Sequence, residues 1–430
     1  MRAAFYESDI TPPLGYFQSG YGFERIAEDV FDKIYSKALV LEDNGSYAVL
    51  IAVDLCEYPK DLHDKVAKRI EEYTGIPSER VCIHATHAHL GAPVIDNPQI
   101  NCYADAPYKD VFCRLVADSA ILAYKRLGEC KAYFGSVEVS GIAHCRCAVT
   151  KDGIMRGINK IDPDTIERFI SEPDHSLPVL FFERDGKKIG ALYTFACHQD
   201  TVREPLWGYS GDYSSAVSDC LKEEYGSSFI SIYMAAPCGD INTVNPFAKT
   251  EEEKRPIPHT EIGRRLADGI KKASENASCI GEGISVAKEL VEIRKRKYSP
   301  EEFTKLASSI INRYRGCGKF LTDLVYYQRT DKEDFTNLYI QVIKIGELGN
   351  FVYPGEMFCT YGHRTKASSP FKYTMVVENS NSFGGYIPTP ECFGEHSLLY
   401  ETIPAFTSFA EKDSGEIMYG KIIELAGALK

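Results

Sequence analysis

The sequence predicts an α/β fold of mixed β-sheets flanked by helices, and three observations carry that expectation. Short apolar runs rich in β-branched and aromatic residues alternate with amphipathic segments of helical period. No fixed-period repeat, low-complexity tract or Gly/Ser- or Pro-rich linker divides the chain. Its 430 residues, 44% hydrophobic and 26% charged, have the size and composition of a globular protein with a substantial core. The simplest organisation is one compact domain over residues 1–430, with the charged, motif-poor stretch 276–335 as a peripheral subdomain.

The runs 37–41, 47–55, 80–86, 188–197, 229–236, 338–345 and 351–353 predict buried strands, because each is a short apolar stretch bounded by turn-forming or polar residues. The segments 60–73, 108–127, 213–225, 261–274, 300–314 and 411–425 predict helices, with polar residues returning at the spacing of one helical face.

A formal charge of −12 with no basic stripe excludes nucleic acid as a partner, since phosphate binding needs a cationic surface. The opening residues, MRAAFYESDITPP, lack the basic and apolar regions of a secretory signal, and no apolar run reaches the roughly 20 residues that span a bilayer. The expected location is the cytoplasm. The 14 cysteines are scattered singly inside apolar runs, which predicts reduced structural thiols. The close pair Cys145 and Cys147 has the spacing of neither a zinc knuckle nor a thioredoxin motif.

The chemistry concentrates at Thr86-His87-Ala88-His89, the end of the run 80–86. Side chains alternate along a strand, so His87 and His89 are expected on one face, at the carboxyl end where α/β sheets bind ligands. A second apolar run, 191–196, ends in Cys197-His198. Either histidine alone reads as a packed core residue. Two strands of one sheet each delivering a histidine predict a shared site. Glu356, in the turn Pro354-Gly355-Glu356 that opens a helical segment, offers a carboxylate oxygen, although a glutamate there also suits a helix dipole. Imidazole nitrogens with one carboxylate are the donors of a catalytic zinc (Zn2+) site.

In this context the sequence resembles the catalytic domain of the neutral, non-lysosomal ceramidases. The resemblance rests on segments in register: Asp9-Ile10-Thr11-Pro12, Gly20-Tyr21, Ala85-Thr86-His87-Ala88-His89-Leu90-Gly91, Phe195-Ala196-Cys197-His198, Ser210-Gly211-Asp212, Cys238-Gly239-Asp240-Ile241-Asn242, Pro354-Gly355-Glu356, Gly385-Tyr386-Ile387-Pro388-Thr389 and Tyr400-Glu401. It implies a zinc bound by His87, His198, Glu356 and Tyr386. It also implies that His89 touches the substrate carbonyl or leaving group, and that Arg146 and Tyr400 face the carbonyl oxygen. The reaction implied is hydrolysis of an N-acyl (amide) bond by water made acidic on zinc, with a proton delivered to the departing amine. The substrate would be a small N-acyl molecule, lipid-like compounds included.

Two departures narrow the expectation. Asn242 stands where the family has a serine, which excludes serine catalysis there. The family's secretory signal and C-terminal β-sandwich have no counterpart, so a substrate smaller or more polar than ceramide is expected. Two rival readings are an amidohydrolase barrel, which also uses H-x-H at a strand end, and a degenerate relative that binds without turnover.

Overall fold

The central strands of this protein lie between two layers, which is why the apolar residues of runs such as 38–41 and 48–53 continue without polar interruption. The computed structural model describes residues 1–157, 161–202, 207–248, 250, 253, 255–313 and 318–430. Among them, three larger sheets dominate.

In the first, β1 (Arg2–Asp9), β2 (Tyr35–Asp43) and β3 (Ser46–Val53) are antiparallel neighbours. Helix α1 (Lys60–Thr74) then crosses over to β4 (Val81–Ala85), parallel to β3, and α2 (Ala106–Tyr124) packs beside α1. The second sheet repeats the pattern with β5 (Lys131–Glu138), β6 (Ser176–Arg184) and β7 (Lys187–Phe195), the crossover helix α3 (Asp212–Tyr225), the parallel strand β8 (Ile230–Ala235), and α4 (His259–Glu275) against α3. The third has β9 (Ile284–Arg294), two inserted helices α5 (Pro300–Arg313) and α6 (Gly318–Thr330), then β10 (Phe335–Ile345), β11 (Leu348–Val352), crossover helix α7 (Cys359–Ser368), parallel β12 (Tyr373–Val377) and α8 (Ser414–Ala428). One β-β-β-α-β-α unit therefore occurs three times, beginning at Arg2, Lys131 and Ile284. Unequal insertions between corresponding elements remove any fixed period from the sequence.

Side-chain alternation sorts each sheet into two faces. Leu39, Leu50 and Cys82 of the first sheet, Leu180, Leu192 and Met234 of the second, and Ile343, Leu348 and Met375 of the third meet in one central cluster. The opposite faces are covered by helices: Val40, Val49 and Ile51 pack with Val66 and Phe112 of α1 and α2, and Phe181 and Tyr193 with Val217 and Leu266 of α3 and α4. Gly135 of β5 shows how tight this outer packing is. A Cβ there would sit 2.1 Å from the carbonyl oxygen of Ala273 in α4. Gly135→Ala is expected to cost about 3 kcal/mol by overpacking, read as a lower urea midpoint with an unchanged slope.

The predicted strands and helices all occur, with ends displaced by a few residues; Tyr314, the end of the expected helix 300–314, lies outside the described residues. Within the stretch 276–335, β9 pairs with β10 over its whole length, and α5 and α6 contribute their own small core around Ile310 and Leu324. The barrel alternative does not hold: each sheet has open, linear strand order with two antiparallel pairs and one parallel pair among its long strands. Among the described residues no helix is long and apolar enough to cross a membrane.

The carboxyl ends of the three parallel pairs meet at one end of the central core. His84 of β4 marks the junction: its Nδ1 lies 2.8 Å from the Glu378 carbonyl, and its Nε2 accepts from the Ala235 amide at 2.8 Å. The amides of Glu378 and Asn381 add bonds to Ala235 O and Ile83 O. Burial holds this imidazole well below its usual pKa, at about 3, so it is a neutral connector.

Candidate metal and active site

His87 does not lie on a strand. β4 ends at Ala85, and His87 has a φ of +67°. The strand-alternation argument for His87 and His89 therefore fails: the left-handed residue, not a pleat, brings both rings to one place. The amides of Thr86 and His87 bond the carbonyls of Val53 and Leu55 at 2.9 Å, which fixes the turn against the end of β3. A second correction concerns His198, which follows β7 and thus belongs to a different sheet from β4. The loops are joined instead through Gln199, whose Nε2 donates to Thr86 O at 2.7 Å and whose carbonyl accepts from His89 N at 3.1 Å. Glu356 opens no helix: Glu356–Met357 is a short strand parallel to Tyr386–Ile387, and α7 begins only at Cys359.

These three turns aim their side chains at a common point. His87 Nε2 lies 3.4 Å and His198 Nε2 3.3 Å from the same oxygen, Glu356 Oε2. Each ring turns its other nitrogen to a backbone carbonyl, His87 Nδ1 to Cys56 O and His198 Nδ1 to Ile241 O, both at 2.9 Å. Donation from Nδ1 leaves the Nε2 lone pair facing inward, the tautomer of a metal-ligating histidine. All three residues are buried, and His198 Nε2 and Glu356 Oε2 have no aligned hydrogen-bond partner. Such atoms cost about 1–3 kcal/mol each when left unsatisfied. The donor set, two nitrogens and one carboxylate oxygen mutually within 4.8 Å, fits a dication.

Without an ion the cluster holds a proton. Burial opposes charge on His87, but Glu356 more than offsets it and raises the imidazole to about 9. His198, equally close to the same carboxylate, goes the other way: burial and the Arg146 charge push it down to about 3. The Arg146 charge, which weighs on His198 and is not among the leading influences on His87, accounts for the contrast. Despite burial, His87 and His198 hold Glu356 well below the usual carboxylate range. Below pH 9 a dication must displace the His87 proton. Dication affinity is therefore expected to rise at least about tenfold per pH unit from pH 6.5 to 9. Chelator competition across that range checks it; an affinity already flat above the ordinary histidine pKa of about 6.5 would contradict the proton-held site.

Arg146 forms the opposite wall. Its Nε pairs with Glu401 Oε1 at 3.1 Å, and one terminal nitrogen donates to Gly239 O at 2.8 Å and to Tyr386 Oη at 3.2 Å. Tyr386 Oη lies 3.0 Å from Tyr400 Oη, with the rings edge to face. Tyr386 is tied to Glu356 through the two paired strands, whereas Tyr400 is 39% exposed and so accessible from the cavity. Burial raises the Tyr386 phenol well above its ordinary value, so an unliganded Tyr386 stays protonated.

Several contributors have roles that the sequence reading did not assign. Cys56 offers the carbonyl that orients His87, and Glu401 is the buried partner of Arg146. Gly20 supports His89: a Cβ there would lie 2.7 Å from the imidazole Cγ. Tyr21 meets the same ring edge-on at 5.4 Å, and Arg25 donates to His89 O at 2.7 Å. His89 itself lies with Nε2 3.3 Å from His87 Nε2. Burial and the two neighbouring histidines hold it well below its usual pKa. Asn242, at the family's serine position, turns its Oδ1 to Val244 N at 2.9 Å.

A cavity of about 440 Å³ opens over this cluster. Polar groups, among them Glu57, Asn97, Gln99 and Asp200, share its wall with Ile95, Ile100, Phe383, Ile403 and Phe406.

No protein-family model matches this sequence, and no curated protein matches it. Among solved structures, the neutral ceramidase from Pseudomonas aeruginosa is similar over 100% of this chain and 74% of its own, at 18% identity and a TM-score of 0.78. A ceramidase complexed with C2 is similar over 100% of this chain and 75% of its own, at 15% identity and a TM-score of 0.74. At these identities the likeness establishes the fold: the chain has the architecture of the neutral ceramidases.

Proposed function

We propose that this protein is a zinc-dependent hydrolase of N-acyl bonds, with His87, His198, Glu356 and Tyr386 as the metal's ligands. The observation that carries the proposal is the convergence of two correctly tautomerised imidazoles on one buried carboxylate oxygen at the floor of a cavity. Zinc bound there would lower the pKa of water and polarise a carbonyl.

The chain's own groups do the rest. Arg146, already fixed by Glu401 and the Gly239 carbonyl, and Tyr400 at the cavity mouth direct N–H and O–H donors toward the position of a developing oxyanion. His89, neutral and beside the cluster, takes a proton from the attacking water and passes it to the departing amine, which leaves only when protonated. Gly20 and Tyr21 hold its ring for that transfer. The mixed lining of the cavity suits an amphiphilic substrate, its acyl part against Phe383, Ile403 and Phe406 and a polar amine part toward Asn97 and Gln99. A compound smaller or more polar than ceramide fits the 440 Å³ available.

The test is a metal-depleted protein reloaded with one zinc per chain and given N-acyl amines of graded chain length and headgroup polarity. Amine release that appears with zinc and disappears on chelation is the expected result. A zinc-loaded protein that releases no amine from any of them would refute the reading.

A further inference from the structure

His87 belongs to a second ligand cluster. Cys56, His87 and His89 also bring one donor atom each within 4.8 Å of one another. Cys56 Sγ lies 3.8 Å from His87 Nδ1, the nitrogen that donates to Cys56 O, so a shared ion takes the other ring nitrogen, Nε2, which His89 Nε2 faces at 3.3 Å. Unlike most of the protein's buried thiols, Cys56 forms part of the cavity wall. The neighbouring carboxylate Glu57 also lines the cavity. His89 Nδ1 is buried without a partner, and the ring is already held by Gly20 and Tyr21. The two clusters differ in chemistry: two nitrogens and a carboxylate oxygen in one, two nitrogens and a sulfur in the other. A thiolate favours soft, thiophilic ions, whereas a carboxylate favours harder ones.

We propose that Cys56, His87 and His89 form a second, inhibitory cation position that overlaps the zinc site through His87 and prefers thiophilic dications such as Cd2+. Binding exchanges the thiol proton for the metal: the S–H bond breaks, the sulfur–metal bond forms, and the proton passes to solvent through the cavity that Cys56 lines. With His89 engaged as a ligand, the group proposed above to protonate the amine is lost. The inhibitory part of the inference thus rests on the proposed hydrolysis, whereas the binding part does not.

The test is a titration of the metal-depleted protein with Cd2+, followed by the ultraviolet charge-transfer band of a cadmium–thiolate bond. The expected result is a band that saturates at one Cd2+ per chain and is lost in Cys56→Ser and in Cys56→Ala, two variants that keep the backbone carbonyl bonded to His87. In the zinc-loaded protein, Cd2+ should inhibit amide hydrolysis, and Cys56→Ser should need at least ten times more Cd2+ for the same inhibition. Absence of the band in the wild type, or an equal band in both variants from another of the cysteines, would overturn the inference. If no amide is cleaved but the band depends on Cys56, the cation position stands and the hydrolase reading falls.

Discussion

Glu356→Gln is expected to weaken zinc binding by roughly 100- to 1000-fold, the penalty for removing one partner from a buried charged cluster. Glutamine keeps the shape of the side chain but removes the negative charge on the one oxygen that both imidazoles face. A second signature follows from the same change. His87 owes its pKa of about 9 to Glu356, against the opposing effect of burial. In the variant burial prevails, His87 is neutral at pH 7, and the tenfold-per-unit rise of zinc affinity between pH 6.5 and 9 disappears. Chelator competition at several pH values reads both effects, and hydrolysis at limiting zinc should fall in parallel. An unchanged affinity with an unchanged pH slope would show that Glu356 is not at the metal.

Arg146→Ala is expected to lower kcat by roughly 100- to 1000-fold with zinc content retained, the usual loss when a preorganised oxyanion donor is removed. The guanidinium is buried, and its loss strands Glu401, 1% exposed, without a counter-charge. That alone should destabilise the protein by about 3–5 kcal/mol. Combining Arg146→Ala with Glu401→Gln separates the effects: stability should largely return, while kcat stays low. Recovery of kcat together with stability would reduce Arg146 to a structural role.

The order of elements and the two histidines at strand ends stood out because both follow from local chemistry, whereas Tyr386, Arg146 and Tyr400 were singled out only by the family resemblance. Strands sandwiched between layers appear as apolar runs, and histidines placed just beyond two of them, 87 and 198, are conspicuous whichever sheet each strand joins. What the sequence hid falls into two classes. Strands that break the usual rules were missed: β5 carries Gly135, β6 carries Pro178 while pairing on both sides, and β9 carries Lys288, Glu289 and Glu292 among its apolar residues. Groups that act through the backbone or by close approach were also invisible. Nothing about the identity of Cys56 or Ile241 announces that its carbonyl orients a histidine, and Gly20 matters only because His89 leans on it. The positive φ of His87 belongs to this class too, since it follows from bonds to the end of β3 and not from the residue type.

The threefold recurrence of the chain's building unit has a mechanical consequence. His87 comes from the first unit, His198 from the second, and Glu356 with Tyr386 from the third. An ion held by all of them, as proposed, would act as a keystone, with its full ligand set available only to a fully assembled molecule. Its binding energy becomes cohesion among the modules, about 2.7 kcal/mol when free ion stands at 100 times Kd. Chelation should accordingly lower the melting temperature of the entire protein in one cooperative step, with no separate early loosening near the cavity.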